Sequence, residues 1–160
     1  MSTPVQAWTR AARCVAALML LAPAAVRAQA ITIFPVQDLS FGQIRAGFNE
    51  KVEWSDAPRR AELEVRARGR VVIDVTLPTE MISAGGQRFP LRFDASVGQI
   101  QWLRNGRRFP FDPRSPRSIR IPRRQRGALI FLGGTAEPAV VQAPGPYGAT
   151  ITVRVSNAGT

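Results

Sequence analysis

Residues 61–78 read AELEVRARGRVVIDVTLP, and this stretch decides the fold class. Apolar side chains occupy the odd positions from 61 to 65 and again from 71 to 75, with polar side chains between most of them. A period of two residues is typical of a strand that buries one face and exposes the other. Gly69 lies between the two runs, and a glycine turn in that place predicts a β-hairpin.

The same alternation continues on both sides of this segment, and from Ile31 onward no stretch has the period of a long helix. Asn105-Gly106 is the strongest short signal for a second hairpin. Ala128–Leu132 is a continuous apolar run, which predicts a central strand buried on both faces. Further strands are predicted over 91–95, 100–102, 119–121 and 151–155. Glycine or proline interrupts the runs about every ten residues, so the sequence predicts one all-β domain, either a sandwich or a barrel.

The first residues have the features of a secretory signal peptide. Arg10 and Arg13 precede a short apolar run over 15–22, and residues 26–30 offer two overlapping small-x-small cleavage patterns. The run is too short to span a bilayer, which needs about 20 apolar residues. We therefore expect a signal peptide over 1–28, cut after residue 28 or 30, and a single domain over 29–160 without a membrane span. A membrane anchor or a buried N-terminal helix is the alternative.

Export predicts a location in the periplasm, at the cell surface or outside the cell. The amino-acid composition also restricts which catalytic and metal sites the protein can have. The chain has no histidine, and its one cysteine, Cys14, belongs to the predicted signal. The usual general base, Ser-His and Cys-His nucleophiles and ordinary zinc sites are therefore excluded. Glu62 and Glu64 lie roughly 7 Å apart on one strand face. We interpret them as a solvated face rather than a glycosidase pair, because parallel side chains do not flank a substrate. We expect no catalytic residue, no cofactor and no metal.

The charge is strongly positive and concentrated. The formal net charge is +11, and the three arginines of the predicted signal leave +8 on the rest. Residues 104–126 contain nine arginines and one acid, Asp112. Such a field attracts anionic polysaccharide or lipopolysaccharide, with nucleic acid as the least favoured partner. Phe109 and Phe111 could stack on sugars or bases. The alternative to ligand binding is a solvated loop in which both rings pack on the sandwich. The candidate anion-binding residues are Arg107, Arg108, Arg120, Arg123, Arg124 and Arg126.

Three further stretches form an ordered set: DLSFGQI over 38–44, FLGGT over 131–135 and PGPYGATITV over 144–153. Gly42 permits a positive φ where a strand turns, and Gly133-Gly134 predicts a tight turn after a buried strand. Tyr147 is predicted to open the last strand, either with a hydrogen bond across a sandwich corner or as an ordinary half-buried aromatic. The motif positions are Leu39, Phe41, Gly42, Gly133, Gly134, Gly145 and Tyr147.

With the run over 61–78, this set resembles the bacterial family called domain of unknown function 4402, which is similar to spore coat protein U and to fimbrial subunits. The resemblance covers nearly all of residues 29–160. It implies an immunoglobulin-like, pilin-like antiparallel β-sandwich, exported and without catalytic residues. For the better-known relatives it implies assembly into surface fibres through a chaperone and usher. Two features depart from the pattern: the basic, proline-rich stretch over 108–126, and the short segment before Leu39.

The function expected from these observations is that of a secreted, fimbria-like structural or interaction protein that acts through strand edges. Its partners would be further copies of itself or other fimbria-like subunits, and a periplasmic chaperone. The alternative is a basic surface protein that binds anionic polysaccharide or lipopolysaccharide. The candidate strand-pairing residues are Ile31, Ile33, Ile151, Val153 and Val155.

Overall fold

The computed structural model describes residues 30–158, so the predicted signal peptide lies outside the described residues. This range contains thirteen strands and no helix, and therefore no helix that could cross a membrane. The strands are β1 (Thr32–Gln37), β2 (Glu50–Val52), β3 (Ala61–Arg66), β4 (Gly69–Thr76), β5 (Glu80–Ser83), β6 (Arg88–Arg92), β7 (Gly98–Trp102), β8 (Arg108–Phe111), β9 (Arg117–Ile121), β10 (Ala128–Leu132), β11 (Gly134–Ala136), β12 (Tyr147–Gly148) and β13 (Thr152–Asn157).

The strands form three antiparallel sheets. One has the order β1-β3-β10-β7-β8, the second β12-β5-β6-β11-β2, and the third β13-β4-β9. The prediction of an all-β, antiparallel fold is confirmed. Ala128–Leu132 is the central strand β10, paired on both sides and buried over most of its length, as predicted.

The predicted hairpin around Gly69 is wrong. β3 pairs with β1 and β10, whereas β4 pairs with β13 and β9 in another sheet. The chain therefore crosses from one sheet to another at residues 67–68, and Ala67 is buried in the core on the way. Gly69 still has a positive φ of 78°, so the glycine turns the chain without returning it to its own sheet.

The hairpin at Asn105-Gly106 is confirmed. β7 and β8 pair across it, and the Trp102 N–H donates to the Arg107 carbonyl oxygen at 3.0 Å. Gly106 has a φ of 65°, which suits a residue without a side chain.

Gly133-Gly134 is not the predicted tight turn. β10 ends at Leu132 and β11 begins at Gly134, so the chain continues directly from the first sheet into the second. Strands that switch sheets in this way form the corners of sandwiches. A Cβ on Gly133 would lie 2.1 Å from the Val52 carbonyl oxygen, and one on Gly134 would lie 2.9 Å from the Phe93 ring. The glycines therefore allow close packing at the corner.

The core consists of two apolar clusters. The first lies between the β1-β3-β10-β7-β8 sheet and the β13-β4-β9 sheet, and includes Val65, Ile73 and Ile130. The second packs under the remaining sheet around Phe41 and Phe93. Three residues contact both clusters: Leu39, Leu77 and Ile151. The junction between the two clusters therefore lies near the start of the 38–44 motif and the start of β13.

Candidate functional site

A groove of about 510 Å³ opens at this junction, between β1 and the chain that enters β13. Apolar side chains from both core clusters line it, Leu63, Leu132 and Phe93 among them. Pro35 and Gln37 contribute from β1, and Ile151 and Val153 from the opposite side. The groove therefore exposes part of the core between two strands of different sheets.

Both strands beside the groove are edge strands, as predicted. Within residues 30–158, β1 pairs with β3 alone and β13 pairs with β4 alone. Each consequently presents a row of backbone N–H and C=O groups without a strand partner in that range. The register of β1 shifts between Pro35 and Gln37, which places a bulge beside the groove.

The five candidate strand-pairing residues divide between these edges. Ile31 directly precedes β1 and Ile33 lies within it, whereas Ile151 directly precedes β13 and Val153 and Val155 lie within it. All five side chains are half-buried against the core. Of the five, Ile151 and Val153 line the groove. The groups available for pairing are thus the backbone edges rather than these side chains.

A second cavity, of about 700 Å³, adjoins the groove. The two share Leu39, Phe41, Met81 and Tyr147. Gly42 lies on its wall with a φ of 66°, as its motif position predicted, and Gly145 has a φ of 144°. Five of the seven motif residues therefore surround this joined cavity, and the two corner glycines lie elsewhere.

The Tyr147 hydroxyl makes its hydrogen bonds to the loop that directly precedes it. It donates to the Ala143 carbonyl oxygen at 2.8 Å and accepts from the Gln142 side-chain amide at 2.7 Å, while the ring packs on Phe89 with centroids 4.8 Å apart. Tyr147 was predicted to open the last strand. It instead opens the two-residue strand β12. It thereby fixes the 142–147 loop against the second core cluster.

Tyr147→Phe is expected to lower stability by about 1 kcal/mol, because two half-buried polar groups lose their partner. Thermal unfolding should show a fall in Tm of about 3 °C. Gln87→Ala, which removes only a 3.3 Å contact to the same hydroxyl, is the control and should change Tm less. An unchanged Tm for Tyr147→Phe would show that the loop does not depend on this hydroxyl.

The candidate anion-binding arginines do not form one patch. Arg107 lies in the Asn105-Gly106 turn, and Arg108 on β8 extends toward the rings of Trp54 and Phe131, at 5.7 and 6.0 Å. Arg120 on β9 faces Arg70 on β4. Arg123, Arg124 and Arg126 lie in the turn between β9 and β10. The stretch is therefore distributed over two sheets and two turns.

The structure instead gathers a smaller group, here called the basic pocket. It has a volume of about 620 Å³ and is lined by Glu64, Arg66, Leu103, Arg104, Arg124, Gln125 and Arg126. Of these residues, only Arg124 and Arg126 were among the predicted anion-binding candidates. Nothing in the local sequence marks Arg66, because it comes from β3, far from the basic stretch in the chain.

The only acid of the basic stretch does not neutralise this pocket. Asp112 pairs with Arg114 at 2.8 Å, and hydrogen bonds from the Arg114 side chain and backbone hold the pKa of Asp112 below its usual value. Asp112 therefore stays charged and engaged with its neighbour in the chain.

Stacking on ligands through the two phenylalanines is contradicted. Phe111 is 3% exposed and belongs to the core, and Phe109 packs on Trp102 with ring centroids 5.0 Å apart. Both rings pack on the sheets, as the alternative without ligand binding predicted.

Glu62 and Glu64 share one face of β3, but that face is not simply solvated. Glu62 pairs with Arg60 at 2.9 Å and Glu64 with Arg66 at 2.5 Å, and both glutamate side chains are largely buried. Across residues 30–158, no group of three acidic side chains converges as a metal site would require. Comparison of the sequence with family models, with curated proteins and with solved structures finds no match.

Proposed function

We propose that this protein is an exported, non-enzymatic structural or interaction module that acts by β-strand addition at the groove between β1 and β13. The observation that carries the proposal is the coincidence of two edge strands with an apolar groove that opens into the core. A strand that enters such a groove gains backbone hydrogen bonds from an edge and buries alternate side chains among core residues.

The size of the groove supports an extended segment as its occupant. The apolar side chains of Leu63, Ile151 and Val153 line the groove and are only partly buried, so they can contact the side chains of an added strand. The segment around β1 has suitable chemistry as a donor, because Phe34 and Val36 are 41% and 55% exposed, although both are large and apolar. A second copy of the chain, or another subunit of the same type, is the partner that this arrangement favours.

The finer parts of the proposal rest on the resemblance. They are an immunoglobulin-like, pilin-like sandwich, a cleaved signal over 1–28, a location in the periplasm or at the cell surface, and delivery by a periplasmic chaperone. Delivery by a chaperone also has a physical reason, because an open apolar groove needs a temporary cover before its partner arrives.

A peptide of residues 31–37, ITIFPVQ, is expected to bind the purified protein and to be protected from exchange when bound. Fluorescence polarisation with labelled peptide measures the affinity, and hydrogen exchange of the protein should show new protection in β1 or β13. Two matched controls are a peptide with alternate N-methylated amides and one with Phe34 and Val36 changed to aspartate. Each should bind at least about tenfold more weakly, because the first lacks backbone donors and the second lacks apolar contacts. A protein that stays monomeric at every concentration and binds no peptide would refute strand addition.

Anion binding is the second candidate function. It is favoured because Arg104, Arg124 and Arg126 have no acid within ion-pair distance in the part of the chain that the structure describes. Retention on a heparin column that falls as salt rises is the expected result, and retention that does not change with salt would exclude it.

A further inference from the structure

We propose that the basic pocket is a binding site for an acidic saccharide, a sugar that carries carboxylate, sulfate or phosphate groups beside free hydroxyls. The inference rests on the second candidate function and gives it a place and a ligand class. It is independent of strand addition at the groove.

The charge of the pocket favours an anionic ligand. Four arginines and one glutamate line the pocket, and the glutamate is already paired with Arg66 at 2.5 Å. Within residues 30–158, the guanidinium groups of Arg104, Arg124 and Arg126 lack an acidic partner. Guanidinium is planar and weakly hydrated, and it binds carboxylate, sulfate-like and phosphate oxygens in pairs. The pocket therefore offers several charge-assisted donors to one anion or to closely spaced anions.

Backbone contacts fix the two turns that carry Arg104, Arg124 and Arg126. The Gln125 N–H donates to the Pro122 carbonyl oxygen at 2.8 Å, which closes the turn, and the Leu103 N–H donates to the Gly127 carbonyl oxygen at 3.3 Å. A Cβ on Gly127 would lie 2.3 Å from the Val65 carbonyl oxygen, so this turn is packed tightly against β3. Two turns and one strand end are thus joined around the pocket before any ligand arrives, which reduces the entropy cost of binding.

The conformation of Arg126 points to selection for its side chain. Its φ is 63°, and it is the one residue other than glycine with a positive φ in the described range. Glycine or asparagine adopts this conformation at lower cost than arginine. Strained conformations of this kind concentrate at functional sites.

Gln125 distinguishes a sugar from a simple anion. The residue is 4% exposed, and no group in residues 30–158 donates a hydrogen bond to its amide oxygen, which is closed to solvent. Contact with a ligand therefore requires the Gln125 side chain to turn toward the pocket that it lines. A buried acceptor without a donor is costly. Sulfate and phosphate ions in their charged forms offer little donation, whereas a sugar supplies hydroxyl donors next to its anionic group. A volume of about 620 Å³ also exceeds what a single small ion needs.

The test is calorimetric titration of the full-length protein with a heparin-derived tetrasaccharide at about 20 mM salt, where screening is weak. Arg124→Gln with Arg126→Gln should reduce affinity by about tenfold or more. Arg117→Gln with Arg120→Gln is the matched control, since it removes the same charge from exposed positions on β9 and should reduce affinity by less than about twofold. Arg126→Gly removes the guanidinium while its φ suits glycine, so a loss of affinity in that variant cannot be blamed on folding.

Gln125→Leu tests the hydroxyl contact. It should lower tetrasaccharide affinity several-fold while leaving Tm unchanged or raised, because an unpaired buried oxygen is removed. Retained affinity would overturn the role of the amide. Tetragalacturonate and sodium sulfate are the comparison ligands: a carboxylated sugar should bind in the same variant-sensitive way, and sulfate should bind far more weakly than either sugar.

The remaining outcomes distinguish failure of the basic pocket as the site from failure of anion binding as a function. Equal losses in the two double variants would overturn the pocket while leaving diffuse anion binding intact. Absence of binding to any of these anions at low salt would overturn both. Tighter binding of a thymidine decamer than of the tetrasaccharide, lost in Arg124→Gln with Arg126→Gln, would overturn the saccharide assignment in favour of single-stranded nucleic acid.

Discussion

Gly133→Ala is expected to cost at least about 4 kcal/mol, a large share of the about 5–15 kcal/mol by which domains of this size are stable. The added Cβ would lie 2.1 Å from the Val52 carbonyl oxygen and 3.1 Å from the Trp54 nitrogen, both backbone atoms that cannot move alone. Relief would require separating β2 from β11, or moving Gly133 and so breaking the 2.9 Å hydrogen bond from its N–H to the Val97 carbonyl oxygen. Urea unfolding followed by circular dichroism measures the loss.

Two other glycines serve as graded controls for this prediction. A Cβ on Gly134 would meet the Phe93 ring at 2.9 Å, and a ring can turn aside, so Gly134→Ala should cost less than Gly133→Ala. A Cβ on Gly148 in β12 meets nothing within 4 Å, and Gly148→Ala should be nearly neutral. Equal losses at Gly133 and Gly148 would contradict close packing as the cause and would point to strand propensity instead.

The same corner illustrates what a local sequence pattern can predict. The buried strand before Gly133 was predictable, because five apolar residues in a row describe a strand covered on both faces. The role of the glycines was not, since the atom that excludes a side chain belongs to Val52, far away in the chain. A Gly-Gly pair has the same appearance in a tight turn and at a crowded corner.

Strand pairing shows the same limit. The Asn105-Gly106 hairpin was predictable because its turn type and its pairing are encoded within a few residues. Around Gly69, odd-numbered residues face the core on both sides, and this alternation fits a three-residue hairpin and a crossing between sheets equally well. The choice depends on β1 and β10 as partners for β3, and only tertiary packing determines those partners.

The candidate sites follow the same rule. Strand edges near Ile31 and Ile151 were expected, and alternation over 151–155 supported the second. The groove between them depends on how two sheets approach each other. The basic stretch was evident from composition. The sequence did not show that some of its arginines join Arg66 in a pocket while Arg108 lies near Trp54, because Arg66 and Trp54 come from other segments of the chain.

The ion pair on the outer face of β3 leads to the second large effect. Glu62→Leu is expected to destabilise the protein by about 3 kcal/mol, since it leaves the Arg60 side chain, only 12% exposed, without its carboxylate partner. Arg60 lies 3.8 Å above the Phe131 ring, and its Nε is buried without an acceptor in the described residues. It therefore cannot reach water without uncovering the aromatic ring. Chemical unfolding of the variant measures the loss.

Glu64 provides a matched control, because it lies on the same strand face and pairs with an arginine that is 62% exposed. Glu64→Leu should cost less than about 1 kcal/mol, since Arg66 remains hydrated after its partner is removed. The double variant Arg60→Leu with Glu62→Leu should recover most of the stability lost in Glu62→Leu, because neither buried charge is then left alone. If Glu62→Leu and Glu64→Leu cost the same, burial does not strengthen the dependence of Arg60 on its partner. If the double variant is no more stable than Glu62→Leu, the loss comes from the packing of Arg60 over Phe131 rather than from an unpaired charge.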